Sequence, residues 1–249
     1  MASLLDHPLV SSRYFYPRPG APPVVTEVPV DGAVLACASH RPLPYAPLLV
    51  HFHGNGEIVA DYVPDLARAF ESIGLNTFFV EYRGYGGSTG APALQTMLVD
   101  VGRVLESLHG VELGRTFVYG RSVGSIFAIE AAHRFPGLGG LIVESGIADP
   151  LERLLLRVRP EELGATLEDL RAEAALHLDH RAKLGAFPGR VLVLHAEHDG
   201  LVDRSHAERN AAWSPRSELV LFPRGDHNSI LHANLDAILD AVRRFVGES

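Results

Sequence analysis

One cysteine, one lysine, one tryptophan and two methionines are all that this 249-residue chain holds of those types. The single cysteine, Cys37, excludes an intrachain disulfide and any CxxC metal or redox motif, and it suits a reducing cytoplasm. Lys183 stands alone beside many arginines, a skew of composition rather than a sign of chemistry. No apolar run approaches the roughly 20 residues that a membrane span needs. The first ten residues lack a basic segment, and Asp6, His7 and Pro8 break their apolar run, so no secretory signal is expected there. Basic stripes are missing too. With a net charge of −8 and a pI of about 5.9, the balance speaks against a nucleic-acid partner.

What is present is a chain 47% hydrophobic, enough for one sizeable core and read as a single α/β domain over residues 1–249. Residues 11–23, rich in proline and aromatics, read as an extended arm. Val24 to Val30 and Ala33 to Ser39 alternate like strands around Asp31-Gly32, which predicts an antiparallel hairpin. From Leu48 onward apolar runs alternate with helical periods: a strand to Phe52, a helix around Val59 to Ile73, a strand Leu75 to Val80, a helix Leu94 to Leu108, and strands at 116–121, 140–144, 191–195 and 219–222. That alternation predicts a mostly parallel central sheet with helices on both faces. An apolar stripe from Ile230 through Phe245 closes the chain as an amphipathic helix. Residues 147–188 interrupt the pattern with helical material, including a capping box at Thr166 to Asp169. They read equally as a small helical cap over the strand ends and as ordinary packing helices.

The run Thr116-Phe-Val-Tyr-Gly-Arg-Ser-Val-Gly-Ser125 passes from strand to helix through the pattern GxSxG. Glycines at 120 and 124 are needed there because a strand turning straight into a helix brings backbone too close for a Cβ, and the turn lifts Ser122 out as a nucleophile. A serine hydroxyl alone is too weak, so a base, an acid and an oxyanion site have to come from elsewhere in the chain.

Three further pieces supply candidates: His53-Gly-Asn-Gly56, a strand running into His195-Ala-Glu-His-Asp199, and Gly225-Asp-His-Asn228. With the elbow they give the order serine, acid, histidine. The chain resembles the α/β-hydrolase fold serine hydrolases from about Val24 to its end. Its wording is most similar to the small BEM46-like branch, through HGN at 53–55, YRGYGGSTG at 82–90, GRSVG at 120–124, HAEHDGLV at 195–202 and GDHN at 225–228. The resemblance implies Ser122 as nucleophile, His227 as base and Asp199 as the acid that orients the imidazole, with Asp203 and Glu197 as competitors for that last role. It also implies an oxyanion hole from the backbone N–H groups of Val123 and Asn55, Gly56 being the alternative second donor. The Asn55 side chain is free to cap a helix starting near Glu57.

Glu57 departs from the family pattern. Turned inward it would disfavour anionic substrates; at a helix start it is an ordinary surface residue. In the glycine-rich loop Arg83 is expected to pair within the protein and Tyr85 to line the pocket, and Arg121 either to contact substrate or to pack beneath the serine. The implied activity is hydrolysis of a carboxylic ester or thioester of a small-molecule acyl substrate through an acyl-enzyme, with no cofactor and no metal. An acyltransferase or a peptidase on the same triad, or a catalytically silent binding protein on the same fold, are the alternatives. A zinc hydrolase using His51 and His53 with His195, His198 and Asp199 is the competitor of another class. It is disfavoured because the HxHxDH string of a common zinc-hydrolase site is absent.

Overall fold

The computed structural model describes residues 3–248. Near the amino terminus, α1 (Pro8–Tyr14) is followed by a hairpin of β1 (Thr26–Val30) and β2 (Ala33–His40) around Asp31-Gly32. Then come β3 (Leu48–Phe52), α2 (Asp65–Ser72), β4 (Asn76–Val80), α3 (Leu94–Glu106), β5 (Thr116–Arg121), α4 (Gly124–Arg134) and β6 (Gly140–Glu144). Three short helices, α5 (Pro150–Leu155), α6 (Leu167–His177) and α7 (His180–Ala186), precede β7 (Arg190–Ala196), α8 (Arg204–Trp213), β8 (Ser217–Phe222) and α9 (Ile230–Gly247).

Every residue of β3, β4, β5 and β6 is buried, as expected of strands covered on both faces. The sheet order is β1-β2-β4-β3-β5-β6-β7-β8; β1 and β2 run antiparallel to their neighbours and the other pairs are parallel. One face is covered by α3 and α4 with Met97, Val101, Ile126 and Ile129. On the other face α2 contributes Leu66 and Phe70, and α9 contributes Ile238, Val242 and Phe245. Burying a side chain of this kind contributes about 1.5–3 kcal/mol. The parallel arrangement brings the carboxyl ends of β3, β4, β5, β7 and β8 to one edge, where ligand sites of such sheets form.

Three expectations need correction. Residues 11–23 are not wholly extended: Pro8 at the first helical position, with the His7 ring accepting from Leu9 N, starts α1 and carries it to Tyr14. Leu5, Val10, Tyr14 and Phe15 then bury in the main core, and the Asp6 carboxylate accepts from Gln95 N and Thr96 N, capping α3 from a distant part of the chain. The helix expected over Val59 to Ile73 divides into a 3-10 turn, Val59–Asp61, and α2, because Pro64 has no N–H to continue a helical ladder. The last helix begins at Ile230 as expected but kinks at Asn234, whose side chain donates to the carbonyls of Ile230 and Arg224.

Between β6 and β7 each helix is started by a side chain: Asp149 accepts from Glu152 N, Thr166 and Asp169 form the capping box, and Asp179 accepts from Ala182 N. Of these helices α7 packs on α4 and α8. Arg153 of α5 and Arg157 just beyond it reach the cavity described next.

Candidate active site

The turn from β5 into α4 holds Ser122 at φ 51°, a left-handed conformation that costs a non-glycine residue on the order of 1–3 kcal/mol. Its neighbours show why the flanking positions are glycine. A Cβ on Gly120 would lie 2.6 Å from the Ala128 Cβ and the Gly124 carbonyl, and one on Gly124 would strike the Phe52 carbonyl oxygen. The Ser122 N–H is tied to the Glu144 carbonyl at 2.9 Å.

Ser122 Oγ lies 2.9 Å from His227 Nε2, and His227 Nδ1 lies 2.7 Å from Asp199 Oδ2. The other Asp199 oxygen accepts from Leu201 N at 2.9 Å and Val202 N at 2.8 Å. Burial alone would raise the Asp199 pKa. The hydrogen bonds from His227 and Val202, the histidine charge and the Leu201 N–H outweigh it and hold the carboxyl below its ordinary value. An ionised Asp199 can only accept, so Nδ1 carries the proton and Nε2 is left to accept from the serine hydroxyl. The competitors are engaged elsewhere. Glu197 is exposed, Asp203 caps α8 through Ser205 N, and Asp226 caps its own turn through Asn228 N and Ser229 N.

Ser122 and His227 open onto a cavity of about 180 Å³, whose walls also include Asn55, Val123, Ile147 and Val202, while Asp199 lies buried behind His227. The main-chain N–H groups of Asn55 and Val123 have no acceptor among the described residues. Gly56 N–H is also free, but Gly56 does not line the cavity. The Asn55 side chain caps no helix: it accepts from Tyr16 N and the Tyr85 hydroxyl and donates to the Tyr14 carbonyl, clipping the amino-terminal segment to the loop after β3. Tyr85 is therefore a buried strut and not a pocket wall. Arg83 pairs with Asp100 through two bonds of 2.7 and 2.6 Å, an internal role as expected.

Beneath the serine lies a cluster that sequence reasoning did not assemble. Arg121 donates to Glu57 at 2.8 Å, to Glu144 at 2.9 Å and to the carbonyl of His227 at 3.0 Å, so it bolts the elbow strand to the histidine loop. Tyr62 donates to Glu57 and Tyr119 to Glu144. Burial would lower the Arg121 pKa, but the two carboxylates outweigh it and the guanidinium stays charged; burial would likewise raise that of Glu57, but Arg121 and Tyr62 bring it below the usual range. Glu57 thus points inward with its charge matched by Arg121. A signal for this was present: Glu144 ends an otherwise apolar strand, and a buried carboxylate needs a cation.

The residues of the zinc alternative are spread out. His53 is bracketed by Glu81 and the Gly54 carbonyl, both at 2.7 Å, while His51 sits among the rings of Tyr62, Phe79 and Tyr119. His195 faces the Val202 carbonyl at 2.9 Å and His198 is exposed.

A mostly parallel sheet of this order, with a strained serine between β5 and α4, defines an α/β hydrolase. The chain belongs to the hydrolase family described as serine aminopeptidase, S33, whose model matches residues 44–171. That segment contains Ser122 but neither Asp199 nor His227. The chain is similar to the alpha/beta hydrolase domain-containing protein aho-3 of Caenorhabditis elegans, 28% identical with 85% of this chain and 61% of that protein covered. It is also similar to protein bem46 of Schizosaccharomyces pombe, 29% identical with 73% and 62% covered. The chain thus spans about three-fifths of the length of these relatives. Among solved structures it shares its fold with Est1E of Butyrivibrio proteoclasticus, described with ferulic acid bound, at a TM-score of 0.75 and 19% identity over 90% of this chain and 98% of that one.

Among the described residues no helix is long and apolar enough to cross a membrane.

Proposed function

We propose that the protein is a serine hydrolase that cleaves a carboxylic ester or thioester through an acyl-enzyme on Ser122. The observation that carries this is the relay of 2.9 and 2.7 Å from Ser122 through His227 to Asp199, at the wall of an open cavity. His227 takes the serine proton as Oγ attacks the acyl carbon, and the ionised Asp199 stabilises the imidazolium that forms. The tetrahedral oxyanion is received by the N–H groups of Val123 and Asn55, a contribution worth about 2.7–4 kcal/mol per donor in comparable sites. His227 then protonates the leaving group. In the second half the same nitrogen activates water, which releases the acid and restores the serine.

A cavity of about 180 Å³ is small beside the roughly 300–1,000 Å³ of drug-sized sites and favours short acyl groups. Helix α5 and the turn to Arg157 act as a small cap on this cavity, all within one domain. Peptide amines are poorly served, since the one carboxylate on the wall, Glu57, is already held by Arg121. Cys37, buried and unpaired, suits a cytoplasmic setting.

The test is intact-mass analysis after a fluorophosphonate probe, together with turnover of phenyl butyrate, for wild type and Ser122→Ala. One adduct and turnover in the wild type, with neither in the variant, is the expected result. A folded wild type that takes no adduct would overturn the proposal in favour of a silent binding protein.

A further inference from the structure

The wall of the cavity carries four charged side chains, and they are not equivalent. Glu57 and Arg121 neutralise each other at 2.8 Å. Arg153 and Arg157, four residues apart across the end of α5, form an ion pair with no carboxylate among the described residues. The acidic groups near them are committed: Glu152 to Arg209 at 3.0 Å, Glu162 to Arg13 at 2.9 Å, and Asp149 to the N–H that starts α5. The mouth of the cavity therefore carries two unmatched positive charges on a chain of net charge −8.

A second observation points into the same space. Tyr14 also lines the cavity, is only 7% exposed, and its hydroxyl has no hydrogen-bond partner among the described residues. A buried hydroxyl left in that state costs about 1–3 kcal/mol. Burial raises its pKa although Arg153 and Arg157 pull the other way, so the group stays an O–H donor. Two guanidinium forks and one unused donor are a receptor for an oxyanion, since guanidinium matches carboxylate and phosphate geometry with paired N–H bonds.

We propose that Arg153, Arg157 and Tyr14 form an anion subsite, and that the substrates are short acyl esters or thioesters bearing a carboxylate or phosphate group. The proposal rests on the serine-hydrolase reading of Ser122. An inward-turned Glu57 would by itself disfavour anions, but Arg121 cancels that charge. The anion is carried either on the acyl side or on the leaving group, and the experiment distinguishes the two.

The experiment compares kcat/KM for phenyl butyrate, monophenyl glutarate, which carries the anion on the acyl side, and 4-carboxyphenyl butyrate, which carries it on the leaving group. Each is measured for wild type, Arg153→Gln/Arg157→Gln and Arg153→Lys/Arg157→Lys. Charge-assisted bonds of this kind predict a wild-type preference of about 10- to 100-fold for one anionic ester over the neutral one, expressed mainly in KM. The Gln pair should bring that ratio close to one, and the Lys pair should restore part of it. Whichever anionic ester is preferred identifies the side that bears the charge. An anionic-to-neutral ratio that is equal in wild type and the Gln pair overturns the subsite. Should the Gln pair fail to fold, the wild-type preference should still shrink between about 20 and 500 mM salt, and a salt-independent ratio overturns the proposal equally. Fluorophosphonate labelling separates the two levels: labelling with a flat ratio removes only the subsite, whereas no labelling and no turnover remove the hydrolase reading and the subsite with it.

Discussion

Two histidine–carboxylate pairs lie at the same edge of the sheet, both at 2.7 Å and both almost wholly buried: His53 with Glu81, and His227 with Asp199. Their difference is in the second ring nitrogen. In His53 it is met by the Gly54 carbonyl, and Glu81 is further used by Val59 N and Tyr82 N, so the pair is closed and braces the loop after β3. In His227 it is turned to Ser122 at the cavity wall. A buried imidazole next to a carboxylate is therefore not a base by virtue of the pair alone. What it can do depends on what the far nitrogen meets.

Substitutions on the two sides should separate accordingly. Ser122→Ala should give the largest effect, a fall in kcat of about 10⁶ if the three groups act as one unit, measured by steady-state kinetics against the wild type. Asp199→Asn should keep the fold and lower kcat by about 10⁴, because the amide imposes the wrong tautomer on His227. Glu81→Ala should act first on stability, costing about 3–5 kcal/mol for a buried partner left alone, read as a Tm lowered by roughly 6–20 °C. If Glu81→Ala left the Tm in place and Asp199→Asn lowered it, the contrast between a brace and a base would be broken.

The smallest effect is a slope with pH. Burial, the largest cause in each case, depresses the pKa of His51, His195 and His206 below the ordinary value of about 6.5 and takes that of His180 to about 3. Below about pH 6.5 the unfolded chain binds protons at these positions that the folded chain does not, so stability falls as pH falls. Glu57, Glu130 and Asp199, also depressed, add to the loss only as pH drops below the ordinary carboxylate values of 4.5 and 3.8. Urea midpoints at pH 8, 7, 6, 5 and 4 should be level at first and then decline with increasing steepness. A midpoint that rises between pH 7 and 5 would contradict this account.

The parts legible in the sequence are those whose physics is local. Gly120 and Gly124 declare the elbow because the crowding they relieve arises within a few residues, and Asp31-Gly32 declares the hairpin for the same reason. β3 ends where its apolar run ends, at Phe52, and β6 runs one residue past Val143, to Glu144. What stayed hidden depends on partners far apart in the chain. Asp6 caps α3 across some ninety residues, Asn55 holds Tyr14 and Tyr16, and Arg121 joins Glu57, Glu144 and His227. No spacing rule records such meetings. The helix α1 was obscured differently, since the prolines and aromatics of residues 11–23 are as consistent with an extended arm as with a short helix followed by one.

The cavity wall draws Tyr14 and Tyr16 from one end of the chain and His227 and Asn228 from the other. During synthesis at about 5–20 residues per second, the elbow serine is made several seconds before the histidine that would activate it. For that interval the nascent chain holds an unarmed hydroxyl, and a product truncated before residue 227 would carry the family's serine motif without the chemistry. Abundance measured through the amino-terminal half would then overstate the amount of chain in which Ser122 meets His227.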